Sequence, residues 1–466
     1  MPIVGLRPLR AGELLREALG MPRMMGIVAL GIVTACSGPA PSGDAGQVPS
    51  IDAARIDAAP VDARTADAPM VREDASRPDG GPPASVRDRA RALARHLSGA
   101  ERFLVGMGND LDGAPTYDPD RAGAFVLGPQ LDLHYTYLVG LSTEGGWPTW
   151  NADGSFVTIH AEAAARHGTA MMFSYYVLAL DYETGRDSLG EAARMRTYLE
   201  DVRRMFELLG QVGDPALAHF EPDLMGYLHV RMDDMGTTPD AYPARIRHAS
   251  VPECMALPEV ASSLLPCLRA MRDALAPEVR IAVQASSWGA WYDVTDPDAD
   301  VEGSGRAIGE FLSAMGASST DFVVIETLDR DAGFWETSGG MAGMCSITGG
   351  SRGVVYWDES NATFPNFAQH FRWVSAITTT LGLPALWWQM PFGVPSDTCG
   401  GPSGGSDGRW RDNRVRYFFG HPDEAVAAGG FGMVFGTGAG RQTYVTTDGD
   451  QFRDAAAAYV ASPEPL

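Results

Sequence analysis

Ala170-Met171-Met172-Phe173-Ser174-Tyr175-Tyr176-Val177-Leu178, then helical spacing over Leu189–Leu209, then Ala216-Leu217-Ala218-His219-Phe220: this order decides the fold. An apolar run, an amphipathic helix and a second apolar run form one strand–helix–strand unit, and such a crossover makes the two strands parallel. The pattern continues in both directions. Strand-like runs occur at Phe103–Met107, Leu133–Leu138, Val279–Val283, Phe322–Ile325, Ala385–Trp388 and Gly432–Phe435. Helical spacing recurs at Leu257–Leu275, Ala307–Met315, Phe364–Thr379 and Val415–Ala427. Eight units over roughly 360 residues fit an α/β (β/α)8 TIM barrel with long βα loops. An open doubly wound sheet is the competing arrangement, but no GxGxxG follows the first strand, as a dinucleotide-binding version would require. No clear helix separates the first two strands.

Upstream of this domain, assigned to residues 85–466, lie two segments of another character. Arg23 precedes an apolar run, Met24–Ala35, too short to cross a bilayer as a folded helix and suited to the core of a signal peptide over residues 1–35. The preceding residues are long for a basic leader, so Met21 is an alternative start. Val33-Thr34-Ala35-Cys36 resembles the bacterial lipobox, which implies acylation at Cys36 and cleavage before it. Ser37 in place of an Asp implies the outer rather than the inner membrane. Residues 36–84 are rich in Ala, Asp, Pro and Gly, with repeated Asp-Ala pairs at Asp52, Asp57, Asp62 and Asp67. Such a stretch buries too little apolar surface to offset its ordering entropy and reads as a disordered tether. The expectation is an exported, lipid-anchored, monomeric protein that meets the membrane only through its anchor. A formal charge of −23 repels nucleic acid and excludes it as a partner.

In a barrel of this kind, functional residues lie where strands end and βα loops begin. Asp110 follows strand one, and His134 lies on strand two with Trp147 in its loop. Tyr175 ends strand three, Glu221 and Asp223 follow strand four, and Gln284 and Trp288 follow strand five. Glu326, Asp329 and Asp331 follow strand six, and Trp388 and Gln389 end strand seven. Aromatic rings stack on the apolar face of a sugar, while carboxylates, amides and imidazoles bond its hydroxyls. Two carboxyl groups flanking a glycosidic bond can hydrolyse it, one giving a proton and the other attacking or activating water. Glu221 and Glu326 are the expected pair, with Asp223 and Asp329 in reserve. His134, Tyr175, Trp147, Gln284, Trp288, Trp388, Gln389, Asp331 and Asp110 are expected to bind substrate. Of His134 and Tyr135, alternation allows one to face the barrel axis, and His134 is the choice. Trp388 is expected to face the mouth and Trp387 the helices.

This pattern resembles secreted (β/α)8 glycoside hydrolases, and more loosely the retaining group with carboxylates on strands four and six. The resemblance covers residues 101–460 and rests on architecture, without a diagnostic motif. It implies a nucleophile on strand four, an acid/base on strand six, and a polysaccharide or oligosaccharide substrate. Strand four reads Phe220-Glu221 and strand seven ends in Gln389, unlike the large group with Asn-Glu at strand four and Glu at strand seven. The alternatives are a carbohydrate-binding barrel without catalysis and a structural lipoprotein.

The remaining residues suit structural roles. Four cysteines besides Cys36 allow three pairings, of which Cys254–Cys267 and Cys345–Cys399 are favoured. No Cys/His metal spacing occurs, and no cofactor is expected. A calcium loop over Asp296–Asp300 would need Gly and Glu where Val301 and Ala307 stand, so it reads as a solvated loop.

Overall fold

The computed structural model describes residues 84–108, 118–290, 299–327, 357–392, 414–436, 445–446 and 448–466. Eight strands close into a ring: β1 Leu104–Gly108, β2 Leu133–Val139, β3 Ala170–Tyr176, β4 Ala216–Phe220, β5 Val279–Ala285, β6 Phe322–Ile325, β7 Ala385–Met390 and β8 Gly430–Phe435. Every neighbouring pair is parallel, and β8 pairs back onto β1 through Leu104 opposite Gly432 and Gly106 opposite Val434. The closed ring excludes the open doubly wound sheet. The helices among the described residues are α1 Val86–Ser98, α2 Gly123–Val126, α3 Phe156–Arg166, α4 Leu178–Glu183, α5 Ala192–Val212, α6 Leu224–Met235, α7 Leu264–Leu275, α8 Val301–Ala314, α9 Phe367–Leu381, α10 Arg414–Gly420, α11 Pro422–Ala427 and α12 Gln451–Ala461. No described helix is long and apolar enough to cross a membrane.

Several element expectations change: the helix drawn from Leu257 begins at Leu264 and the one drawn from Ala307 begins at Val301, while two further differences have a local cause. The run drawn to Leu178 stops at Tyr176, because Val177 takes φ −138°, ψ −60° and starts α4. The single helix expected over Val415–Ala427 is two, broken at His421-Pro422, where proline has no N–H to continue the ladder. The short α2 is the connection that carries no strong helical signal.

Strand register sorts side chains into two shells. Leu133, Tyr135 and Tyr137 of β2 pair with Ala170, Met172 and Ser174 of β3, and Ser174 pairs with His219 of β4. These point to the axis. Gly108, opposite Tyr135, makes this possible: a Cβ there would lie 2.6 Å from the Tyr135 ring. The outward residues pack under the helices. Trp387 meets Phe103, Phe371 and Phe418, and Phe435 meets Phe392, Phe419 and Phe452.

The base is closed by both ends of the domain. Helix α1 begins with a capping box in which Ser85 and Asp88 exchange hydrogen bonds. It runs beneath the strand starts: Val86 touches Gly429, His96 bonds the Glu278 carbonyl, and Leu97 lies beside Ala170 and Ala216. The last residue, Leu466, is buried, and its carbonyl accepts from Arg91 Nε at 2.7 Å.

Candidate active site

Backbone strain collects at the carboxyl ends of two strands. Glu221, Asp223 and Gln389 have φ of 55°, 69° and 53°, the left-handed region that side chains other than glycine's rarely enter. Such residues persist where surrounding structure enforces them and cluster at functional sites. In β7 the strain comes from a bulge: Trp387 pairs with Met433 and Met390 with Phe435, leaving Trp388 and Gln389 opposite a single residue. Alternation would have sent these two to opposite faces. The bulge turns both inward.

The inner ends of the strands form an aromatic floor. Trp388 packs edge-on against Tyr135, Tyr137 and His219 at centroid distances of 5.9, 5.8 and 4.8 Å. Gln389 Nε2 donates to the Tyr137 hydroxyl at 2.8 Å. Burial pushes His219 down to about 3, so its imidazole is neutral. Above this floor the walls are half-buried Tyr137, Tyr176, Tyr227 and Trp288. Tyr137 lies 6.3 Å from Tyr176, and Tyr227 lies 4.8 Å from Trp288.

Asp223 sits among these rings. Its Oδ1 accepts from Gln284 Nε2 and Trp288 Nε1, each at 3.4 Å. Burial raises the Tyr176 and Tyr227 hydroxyls above their ordinary range, and the Asp223 charge adds to both shifts. Glu183, at the end of α4, acts on the same two tyrosines and is itself raised by burial. Glu326 follows β6 and is half-buried. Val324 pairs with inward Gln284, so a continued pleat puts Glu326, two residues on, on that side.

Several expected site residues are elsewhere. Glu221 is 1% exposed and faces the helix layer, where its Oε2 accepts the Val177 and Ala179 N–H groups at 3.1 and 2.9 Å. The start of α4 uses this carboxyl as an anchor. Burial pushes it up to about 8, against the pull of those two N–H groups. His134 also faces outward: Nδ1 donates to the Met107 carbonyl and the ring meets Phe125, while neighbouring Tyr135 takes the axis. Tyr175 packs with Tyr198 and Phe220 in the outer shell, one residue out of phase with Tyr176. Trp147 is fully buried against Tyr175 and Gly154, so it offers no outer sugar platform. Gln284 and Trp288 are at the mouth but spend their donors on Asp223. Asp110, Asp329, Asp331, Cys36, Cys345, Cys399 and the Asp296 and Asp298 loop lie outside the described residues.

Tyr137, Tyr176, Tyr227 and Glu183 were missed. Tyr137 stands in the inward row of β2, one place before Val139, and Tyr176 ends that of β3, a signal present in the register alone. Cys254 and Cys267 are at disulfide distance, with Cα atoms 5.0 Å apart. Among the described residues no group of three or more His, Cys, Asp or Glu could hold a metal ion. Asp300 caps α8 through the Gly303 N–H at 2.9 Å. The chain has no lysine, so the imine chemistry run by some barrels is excluded.

No family model matches this chain, and no curated protein matches it. Among solved structures it is similar to a Cellulomonas fimi endo-β-1,4-mannanase double mutant at 14% identity, covering 81% of this chain and 75% of that one with a TM-score of 0.44. It is also similar to a glycoside hydrolase family 5 enzyme from Prevotella bryantii B14, at 12% identity over 78% and 97% with a TM-score of 0.39. A hyperthermophilic endo-β-1,4-glucanase in complex with substrate gives 11% identity over 79% and 99%, TM-score 0.39. At these values the likeness says nothing of chemistry, and the (β/α)8 barrel stands on this chain's own closed ring of strands.

Proposed function

We propose that this barrel hydrolyses a glycosidic bond of a polysaccharide or oligosaccharide, with Asp223 and Glu326 as its carboxyl pair. The observation that carries the reading is Asp223 itself, a strand-end carboxylate in a strained backbone, surrounded by Tyr176, Tyr227 and Trp288. Asp223 follows β4 and Glu326 follows β6, so β5 alone separates them. Two strand spacings of about 4.8 Å bring the backbones about 10 Å apart. Side chains leaning inward from there reach the ~5–9.5 Å separations that glycosidases use. One carboxyl group protonates the departing glycosidic oxygen as its bond to the anomeric carbon breaks. The other attacks that carbon or takes the proton of the water that does.

Glu221 favours a second reading. With its carboxyl turned into the helix layer, the expected Glu221–Glu326 pair is not formed, and a barrel that binds carbohydrate without cleaving it would tolerate that loss. The test is release of reducing ends across a panel of neutral and acidic polysaccharides. Asp223→Asn and Glu326→Gln, with the fold intact, should each lower the rate by about a thousandfold. Binding without release in the wild type selects the second reading, and neither binding nor release removes carbohydrate altogether. The signal-like run and the lipobox around Cys36 support export and anchoring of the same chain, on the outer membrane.

A further inference from the structure

We propose that Gln284 and Trp288 are positioning residues that fix the Asp223 carboxylate in its working orientation, and that close packing of the Ser287–Ala290 turn on α6 locks them there. The inference deepens the reading of Asp223 as a mouth carboxylate and rests on it. Asp223 occupies the residue before α6, where aspartate ordinarily turns back to bond the helix's free N–H groups. It makes no such cap bond. Its φ of 69° directs the side chain across to β5, and the two donors found there converge on one oxygen, Oδ1. A carboxylate can only accept, so the Gln284 amide must present Nε2 to it. Gln284 is fully buried, and its Oε1 finds no partner. A buried acceptor left unmade has a real cost, so the amide's orientation is set by Asp223 rather than by its own satisfaction.

The lock is built from two glycines. A Cβ on Gly226 of α6 would stand 2.5 Å from the Trp288 ring, and one on Gly289 would stand 3.1 Å from the Gly226 backbone. The Tyr227 ring packs edge-on against the same indole, with centroids 4.8 Å apart. The helix that begins at Asp223 and the turn that carries its donor are thus interlocked, and the N–H to carboxylate contact is held by packing. Two donors to the ionised form favour that form. Among the described residues, the titratable groups on the elements facing Asp223 are Tyr176 of β3, Tyr227 of α6, Glu183 of α4, Glu326 after β6 and, through Tyr176, Tyr137 of β2.

The experiment follows Asp223 directly by carbon-13 NMR of aspartate-labelled protein, its signal assigned by loss in Asp223→Asn. Glu183→Gln removes the neighbour whose titration could overlap. Gln284→Leu and Trp288→Phe should each move the Asp223 midpoint upward by about one pH unit, as expected for loss of a hydrogen bond to a charged group. Gly226→Ala should move it the same way, with all three proteins keeping the wild-type circular dichroism. The acid limb of the hydrolysis profile should follow. A shifted midpoint in a protein that cleaves nothing supports the positioning and defeats only the glycosidase reading. An unmoved midpoint in folded Gln284→Leu and Trp288→Phe overturns the proposal, whatever Gly226→Ala does.

Discussion

Glu221 Oε2 accepts two backbone N–H groups, while Oε1 has no hydrogen-bond partner among the described residues. Its folded pKa, raised by burial to about 8, lies above the ordinary value of 4.5. The native state therefore holds a proton there that the unfolded chain has lost. Stability from this group is complete below pH 4.5 and disappears as pH climbs towards 8. Glu221→Gln keeps the acceptor for Val177 and Ala179 and cannot ionise. Melting temperatures measured from pH 5 to 9 should fall for the wild type relative to this variant, and parallel curves would remove the buried-acid account. The sequence placed a carboxylate at the end of strand four correctly, but not its direction. Direction depends on φ at Glu221 and Asp223, and nothing in Phe220-Glu221-Pro222-Asp223 announces two left-handed residues around a proline.

All eight strands were legible because strands of a parallel ring are covered on both sides and read as continuous apolar runs. The same continuity hid their phase. With both faces apolar, His134 and Tyr135 cannot be told apart by pattern, and the imidazole was given the axis that the phenol occupies. Tyr175 was misassigned for the same reason. In β7 the bulge gives Trp388 and Gln389 one face, which no period of two can express. The inward phase of β2 depends on the missing side chain at Gly108. Gly108→Ala should force the Tyr135 ring aside and cost about 1–3 kcal/mol, read from denaturant unfolding. A cost below 0.5 kcal/mol would mean the β1–β2 contact is looser than the 2.6 Å approach describes.

At the scale of the whole molecule, composition and repetition settled the architecture, and the site became legible only when the ring closed. Asp223, Gln284 and Glu326 are far apart in sequence and come from three successive strands. The anchor is a separate matter. Radiolabelled palmitate should enter the wild-type protein in a bacterial host and be lost in Cys36→Ser, and label that persists in the variant would refute acylation at Cys36. With no lysine in the chain, an acylated amino terminus would also leave the mature protein inert to amine-reactive dyes.

Helix α1 crosses beneath the starts of β3, β4 and β8, so the polypeptide reaches the barrel at its foot, opposite to Asp223. A tag or a solid support joined just ahead of Ser85 would therefore approach the foot of the ring and leave the strand ends around Asp223 uncovered.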